Sequence, residues 1–322
     1  MDHVTDDTPR AHALAAAVAG AVLVGVLTAV QARINGALGA AVGDGLVAAV
    51  ISFGSGLILI VAITVAVPSG RAGLRRLRDG IGRGIPAWML LGGLAGAVTV
   101  ATQGLTVASI GVALFTVGLV AGQTSGGLAL DRVGYGPAGV VAVTPPRLVG
   151  GLLAVAGVVL CALGPRGEPA AWWMLVLPLV AGAGIAWQQA TNGRLRQAIG
   201  SPLAATVVNF TGGTVILGLA AAVSMVINGT PAAMPSEPWM YLGGATGVVY
   251  IVMSAALVRR TGVLLLGLGS VVGLLCASIV LDVIAPAPAG PTLIAAAGAA
   301  VVALIGVVIA VVPWRRRRRT GG

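Results

Sequence analysis

The chain has 322 residues, of which 57% are hydrophobic and only 9% charged, and it carries a formal net charge of +10. A soluble domain has about 25% charged residues, so this composition excludes a water-soluble protein and predicts an all-α, polytopic membrane protein. All 19 basic residues are arginines, and they stand in short clusters between apolar segments. That scatter argues against a nucleic-acid partner.

A transmembrane helix needs roughly 20 mostly apolar residues. Runs of this kind predict ten transmembrane helices. The third and fourth runs, like the eighth and ninth, are separated by only a few residues and are predicted to form tight hairpins. The ten runs are 13–34, 45–67, 86–107, 110–131, 145–164, 171–191, 203–226, 238–257, 262–284 and 291–313.

The arginines predict the orientation through the positive-inside rule. With a cytoplasmic N-terminus and ten crossings, only Arg33 and Arg166 fall outside. We therefore expect a bacterial inner-membrane protein with both termini in the cytoplasm. The basic run Arg315–Arg319 is expected to bind anionic lipid headgroups.

The sequence contains an internal repeat. "QARINGALGAAVGDGLVAAVISFGSG" (31–56) aligns without a gap with "QQATNGRLRQAIGSPLAATVVNFTGG" (188–213), and 92–131 aligns with 243–282. Residues paired by these two alignments are called counterparts below. Each repeat holds five predicted helices, and because five is odd the second repeat must enter the membrane from the opposite side.

Inverted repeats are typical of secondary transporters, in which two halves rock about a site near the midplane. We predict a first repeat over 1–165, a second, inverted repeat over 166–314 and a basic tail over 315–322. Other membrane proteins also contain inverted repeats. A non-transporting protein of the lipid-handling or scaffold type is therefore the alternative.

Four sequence elements resemble the drug/metabolite transporter superfamily, and its YdcZ-like branch of bacterial inner-membrane proteins most closely. They are a Gln-x-x-x-Asn element near the end of the first helix, "IGSPLAATVVNFTGG" (199–213), "GQTSGGLALDRVG" (122–134) and "PPRLVGGLLAVAGVVL" (145–160). The resemblance covers nearly the whole chain. It implies a fused form of two five-helix units and transport of a small metabolite or drug.

Polar groups inside a bilayer are costly and are usually functional. Gln31 and Asn35 share one helix face, as do Gln188 and Asn192. All four amides could line a transport pathway. For the two Asn-Gly pairs we favour a helix-ending role, whereas Gln31 and Gln188 could equally bind substrate or a neighbouring helix.

Further polar side chains lie deeper in the predicted helices. We expect a cavity lined by the first, third and fourth helices of each half. Gln123 has the apolar counterpart Leu274, so its site is asymmetric, or else Gln123 only joins two helices. The candidate substrate-binding residues are Gln31, Gln103, Gln123, Ser125, Gln188, Asn209 and Tyr250.

Asp131 and Asp282 are the only acidic residues shared by both repeats, and each falls at a predicted helix end. They could couple proton movement to transport, or simply end a helix beside headgroups or an arginine such as Arg132. No acidic or basic residue stands at the centre of a predicted helix. A proton-coupled exporter of cations is therefore disfavoured, and a neutral or zwitterionic substrate is expected.

The glycine rows 118/122/126 and 269/273 predict close helix packing, either at the seam between the two halves or within each hairpin. The sequence has no Ser/His/Asp, paired-carboxylate or Cys/His constellation. We therefore predict that the protein is not an enzyme and needs no metal or cofactor. A homodimer is possible on sequence grounds.

Overall fold

The computed structural model describes residues 8–136, 139–140, 142–163, 169–231 and 233–311. The predicted repeat boundary at 165 and the basic tail 315–322 lie outside these residues. Helices account for nearly all of the described chain. They are α1 (Thr8–Val42), α2 (Gly45–Ala66), α3 (Pro68–Gly80), α4 (Gly92–Arg132), α5 (Pro145–Leu163), α6 (Trp172–Ile199), α7 (Pro202–Asn228), α8 (Gly243–Ile284) and α9 (Leu293–Val311).

Helix α4 folds back on itself at Gly111. A straight helix of this length would separate its two ends by roughly 60 Å. The rings of Trp88 and Tyr135, which flank those ends, instead have centroids 5.4 Å apart. Gly111 has φ 82° and ψ 164°, a conformation that glycine adopts readily and other residues avoid. The predicted hairpin of the third and fourth spans is therefore confirmed.

Helix α8 also contains a reversal. Leu257 packs on Gly20 of α1, and Gly269 packs on the next residue, Ala21. Twelve residues of straight helix would place Leu257 and Gly269 about 18 Å apart along the axis. The chain must therefore turn back between them, so α4 and α8 each supply two spans and the prediction of ten transmembrane helices is confirmed.

The two repeats are inverted with respect to each other. Helices α2 and α7 are counterparts, and they cross antiparallel at Phe53 and Phe210, whose ring centroids are 5.0 Å apart. Gly56 packs on Phe210, and its counterpart Gly213 packs on Phe53. These reciprocal contacts between paired residues place a pseudo-twofold axis at the Phe53–Phe210 contact.

The glycine rows lie at the seam between the repeats, which is the first of the two predicted alternatives. In the second arm of α4, Gly118 packs on Pro178 of α6, and Gly122 lies against the Leu179 carbonyl. In the second arm of α8, Gly273 lies in the same way against the Val22 carbonyl of α1. A side chain at Gly122 or Gly273 would overlap the facing backbone, so these glycines permit the close approach of the two halves.

The predicted helix ends at the Asn-Gly pairs are wrong. Helix α1 continues past Asn35 to Val42, and α6 continues past Asn192 to Ile199. Both helices end at the following glycines, Gly43 (φ 75°) and Gly200 (φ 60°). These glycines are counterparts, and their left-handed backbone ends the helix, whereas the earlier Asn-Gly pairs keep helical geometry.

Candidate functional site

The amides of the first helix of each repeat pack against the glycine-rich start of the third span of the other repeat. Asn35 and Gln31 of α1 face Gly243 and Gly247 of α8. Asn192 and Gln188 of α6 face Gly92 and Gly96 of α4 in the same way. The missing side chains of the glycines make room for polar groups at the centre of the bundle.

The first amide cluster consists of Gln31, Asn35, Ser52 and Gln103, all at most 6% exposed. Gln31 Nε2 donates to the Gly243 carbonyl at 3.0 Å. Asn35 Nδ2 donates to Gln103 Oε1 at 2.7 Å. The donors of these two amides are therefore paired inside the protein.

The second amide cluster consists of three counterparts, Gln188, Asn192 and Asn209, while the fourth counterpart, Ser254, lies on α8. Gln188, Asn192 and Ser254 are partly exposed, and only Asn209 is buried. The side chains of Gln188, Asn192 and Asn209 make no hydrogen bond to any other residue that the structure describes. Ser254 donates to the Tyr250 carbonyl of its own helix. The second cluster therefore has amide hydrogen-bonding groups available to a ligand.

Three buried polar atoms at the crossing have no partner among the described residues, namely Asn35 Oδ1, Ser52 Oγ and Asn209 Nδ2. A buried polar group without a hydrogen bond is costly, and such groups are rare in folded proteins. Gln188 and Asn209 both flank Gly96, beside the ring of Phe53. The open hydrogen-bonding capacity is thus concentrated near the pseudo-twofold axis.

The helix bundle has two ends. The α1–α2 face is the end that carries the turn at 43–44, and the α6–α7 face is the end that carries the turn at 200–201. At the α1–α2 face, Gly39 and Gly45 lie directly against the Gly104 backbone. The counterparts of Gly39 and Gly45 are Arg196 and Pro202. These larger residues cannot form the same close contact, and among the described residues α6 and α8 share no comparable interface.

The Asp282 carboxylate of the second repeat also stabilises the α1–α2 face. Asp282 Oδ1 accepts from the Val112 amide at 2.7 Å, and Oδ2 accepts from the Ala113 amide at 2.7 Å. These amides begin the second arm of α4, just after Gly111, where the helix dipole favours a negative charge. The tip of the α4 hairpin is therefore capped by the other repeat.

The α6–α7 face is held by arginine. Arg194 donates to the carbonyls of Tyr135 at 2.7 Å and Gly134 at 2.9 Å. Its guanidinium lies 5.7 Å from the centre of the Trp88 ring. A cavity of about 490 Å³ adjoins it, lined by Met89, Gly136, Gly139, Arg194, Gln197 and Ala198.

The remaining predicted residues lie apart from the two clusters. Gln123 Nε2 donates to Gln189 Oε1 at 3.2 Å and so joins α4 to α6. Ser125 is exposed. Tyr250 stands on α8 within one turn of Ser254 and Gly247. Asp131 forms an ion pair with Arg147 at 2.9 Å, not with Arg132.

Sequence reasoning missed Ser52 and Ser254 and took Arg194 for a topology signal only. Ser52 is the counterpart of Asn209, and Ser254 that of Gln103, so the repeat alignment contained the signal for both. The cross-repeat contacts of Arg194 and Asp282 had no such signal, because no pattern along the chain indicates which backbone groups will face them.

Two interlocked, inverted five-helix repeats with polar groups at their crossing define a polytopic, all-α membrane protein of the transporter class. The chain belongs to the family described as "Putative inner membrane exporter, YdcZ", which matches residues 16–160 and 173–309. It is thus a member of the YdcZ-like branch of the drug/metabolite transporters. The family supports a multi-pass inner-membrane transporter and gives no indication of enzymatic activity.

No curated protein matches the sequence. A solved structure titled "Crystal structure of protein" is similar to this chain with 20% sequence identity and a TM-score of 0.48. The similarity covers 93% of this chain and 96% of the other.

Proposed function

We propose that the protein exports a small neutral or zwitterionic molecule across the inner membrane by alternating access. One observation carries the proposal: two clusters of counterpart residues are in different states. In the first cluster Gln31 and Asn35 are buried with their amide donors paired, whereas in the second Gln188 and Asn192 are partly exposed with their amide groups free. Two halves that exchange these states would present the same site to opposite sides of the membrane in turn.

Substrate contact is assigned to the amides and to the glycine backbone beside them. In the present state Gln188 and Asn209, next to Gly96, bind the substrate from the α6–α7 face. In the opposite state Gln31 and Gln103 take over this role. Amide groups donate and accept hydrogen bonds without carrying charge, which suits a neutral or zwitterionic solute better than a cation.

The orientation follows from the charges at the two faces. Arg71, Arg76, Arg147 and Arg194 lie on the α6–α7 face, and positive residues favour the cytoplasmic side. We infer that both termini lie in the cytoplasm and that the second cluster is open towards the cytoplasmic side. An exporter must collect its substrate from that side, so the open state described here is the loading state.

The test is transport by the purified protein in liposomes, with neutral, zwitterionic and cationic solutes loaded in turn. We expect saturable flux of a neutral or zwitterionic solute, abolished by Gln188→Leu. Gln123→Leu and Ser125→Ala serve as controls that leave flux within about twofold of wild type, because both residues lie apart from the clusters.

Flux restricted to cations, or flux unaffected by Gln188→Leu, would contradict the proposed site. If no solute crosses in a broad panel while the protein remains folded, the lipid-handling or scaffold alternative is favoured instead.

A further inference from the structure

Helix α3 forms a basic surface at the α6–α7 face. Residues 71–83 carry five arginines against the single Asp79. The helix follows α2 almost directly, but Gly70 packs on the Thr64 carbonyl of α2, which shows that the chain turns sharply at this point. Helix α3 therefore lies across the end of the bundle and does not continue the transmembrane direction of α2.

The apolar side of α3 is used for internal packing. Leu74 and Leu77 pack on Leu195 and Ile199 at the end of α6. Gly73 lies against Ser201 at the start of α7. The helix is thus seated on the turn between α6 and α7, and its basic side must face outwards.

Two of the five arginines have structural partners. Arg71 Nη1 donates to the Val65 carbonyl at 2.7 Å, at the end of α2. Arg76 Nε donates to the Ile199 carbonyl at 2.5 Å, and Nη2 donates to Gly200. Both side chains place positive charge at the C-terminus of a helix, where the dipole favours it.

The other three arginines are available to an external partner. Arg75 and Arg83 are exposed and have no partner among the described residues. Arg78 contacts only Asp79 at 3.1 Å, and both of these side chains are largely exposed. Three guanidinium groups therefore stand at the end of the helix bundle without a buried counter-charge.

We propose that this surface, formed by Arg75, Arg78 and Arg83, binds the headgroups of anionic phospholipids. Charge complementarity selects this occupant, because anionic lipid surfaces attract basic groups that lie beside a transmembrane helix. Guanidinium groups also bind phosphate oxygens in a bidentate geometry. Since Arg76 fastens α3 to the end of α6, bound lipid stabilises the α6–α7 face.

The test is thermal unfolding of the full-length protein in detergent, titrated with phosphatidylglycerol, with phosphatidylcholine or with inorganic phosphate. We expect phosphatidylglycerol alone to raise the Tm of the wild type. The triple variant R75Q/R78Q/R83Q should need about a hundredfold more phosphatidylglycerol for the same increase, and R75K/R78K/R83K should retain most of the response.

A second variant, R132Q/R196Q, removes two exposed arginines from other helices and controls for net charge. A loss in this variant as large as that in R75Q/R83Q would overturn the proposal, as would an unchanged response of R75Q/R78Q/R83Q. Equal stabilisation by phosphatidylcholine or inorganic phosphate would also overturn it. None of these outcomes depends on transport.

Discussion

The two amide clusters are made of counterpart residues but differ in state. In the first, Gln31 and Asn35 are buried and donate to partners within the protein. In the second, Gln188 and Asn192 are partly exposed, and their side chains bond no other described residue. Paired sequence positions therefore do not imply the same local structure, and the difference between the halves is where the mechanism should be sought.

The ends of the bundle differ in the same sense. The α1–α2 face is closed by glycine backbones in direct contact and by a carboxylate that caps a helix of the other repeat. The α6–α7 face is held by Arg194 and Arg76, which donate to backbone carbonyls at its rim. A dry contact between backbones is harder to open than polar contacts that water can replace, so the two faces should respond differently to mutation.

The largest effect is expected from the two shared acids. Asp282→Ala removes two hydrogen bonds that backbone amides donate to a charged carboxylate, which should lower the free energy of unfolding by about 3 kcal/mol. Asp131→Ala breaks only a partly exposed ion pair, which is worth about 1 kcal/mol or less. Chemical unfolding in detergent measures both.

Equal losses for the two alanine variants would show that the capping contact of Asp282 contributes no more than the ion pair of Asp131. Asp282→Asn provides an intermediate case, because its amide oxygen can accept one of the two bonds.

The next largest effect concerns the glycine contact at the α1–α2 face. A methyl group at Gly39 would overlap the Gly104 carbonyl, so Gly39→Ala should cost about 1 to 3 kcal/mol of stability. Gly54 has no neighbour within 4 Å of an added Cβ. Gly54→Ala should therefore leave stability unchanged or raise it by up to about 1 kcal/mol.

Thermal unfolding of the two variants, side by side, measures this difference. If Gly39→Ala proves as stable as Gly54→Ala, the α1–α2 face is not closed by the contact between Gly39 and Gly104.

Much of the fold could be predicted from the sequence. Ten apolar runs and an odd repeat of five helices lead to the inverted architecture, and the glycine rows indicate its seam. The ends of α1 and α6 could not be predicted, since both Gly36 and Gly43 satisfy the preference for glycine after a helix. Helix α1 continues to Val42 because the residues between Gly36 and Gly43 pack against the rest of the bundle, and this packing cannot be read from the sequence.

The candidate site could be predicted only in part. Gln31, Gln103, Gln188 and Asn209 could be predicted because each is an amide in an apolar helix. The first two lie in the first cluster and the last two in the second. Gln123 and Ser125 carry the same signal, yet Gln123 joins two helices and Ser125 is exposed. A sequence pattern shows that a polar residue lies in the membrane, but the direction of its side chain depends on the partner helix.

The third prediction separates stability from transport within the amide clusters. Gln31→Leu removes a buried hydrogen bond and should lower stability by about 1 kcal/mol. Gln188→Leu removes an amide without a partner, so stability should hardly change while transport of the identified solute is lost. Unfolding and liposome flux are measured on the same preparations. A stability loss at Gln188 as large as that at Gln31 would mean that both clusters are structural.

The smallest effect is expected at the α6–α7 face. Arg194→Lys keeps the positive charge but loses the planar guanidinium that reaches two carbonyls at once and lies over Trp88. The cost should be about 0.5 to 1 kcal/mol, with faster amide hydrogen exchange in residues 133–136. Because the carbonyls at this face can bond to water, the change should loosen the face without unfolding the bundle. Exchange that accelerates equally around residues 39–45 would instead show that the two faces open as one unit.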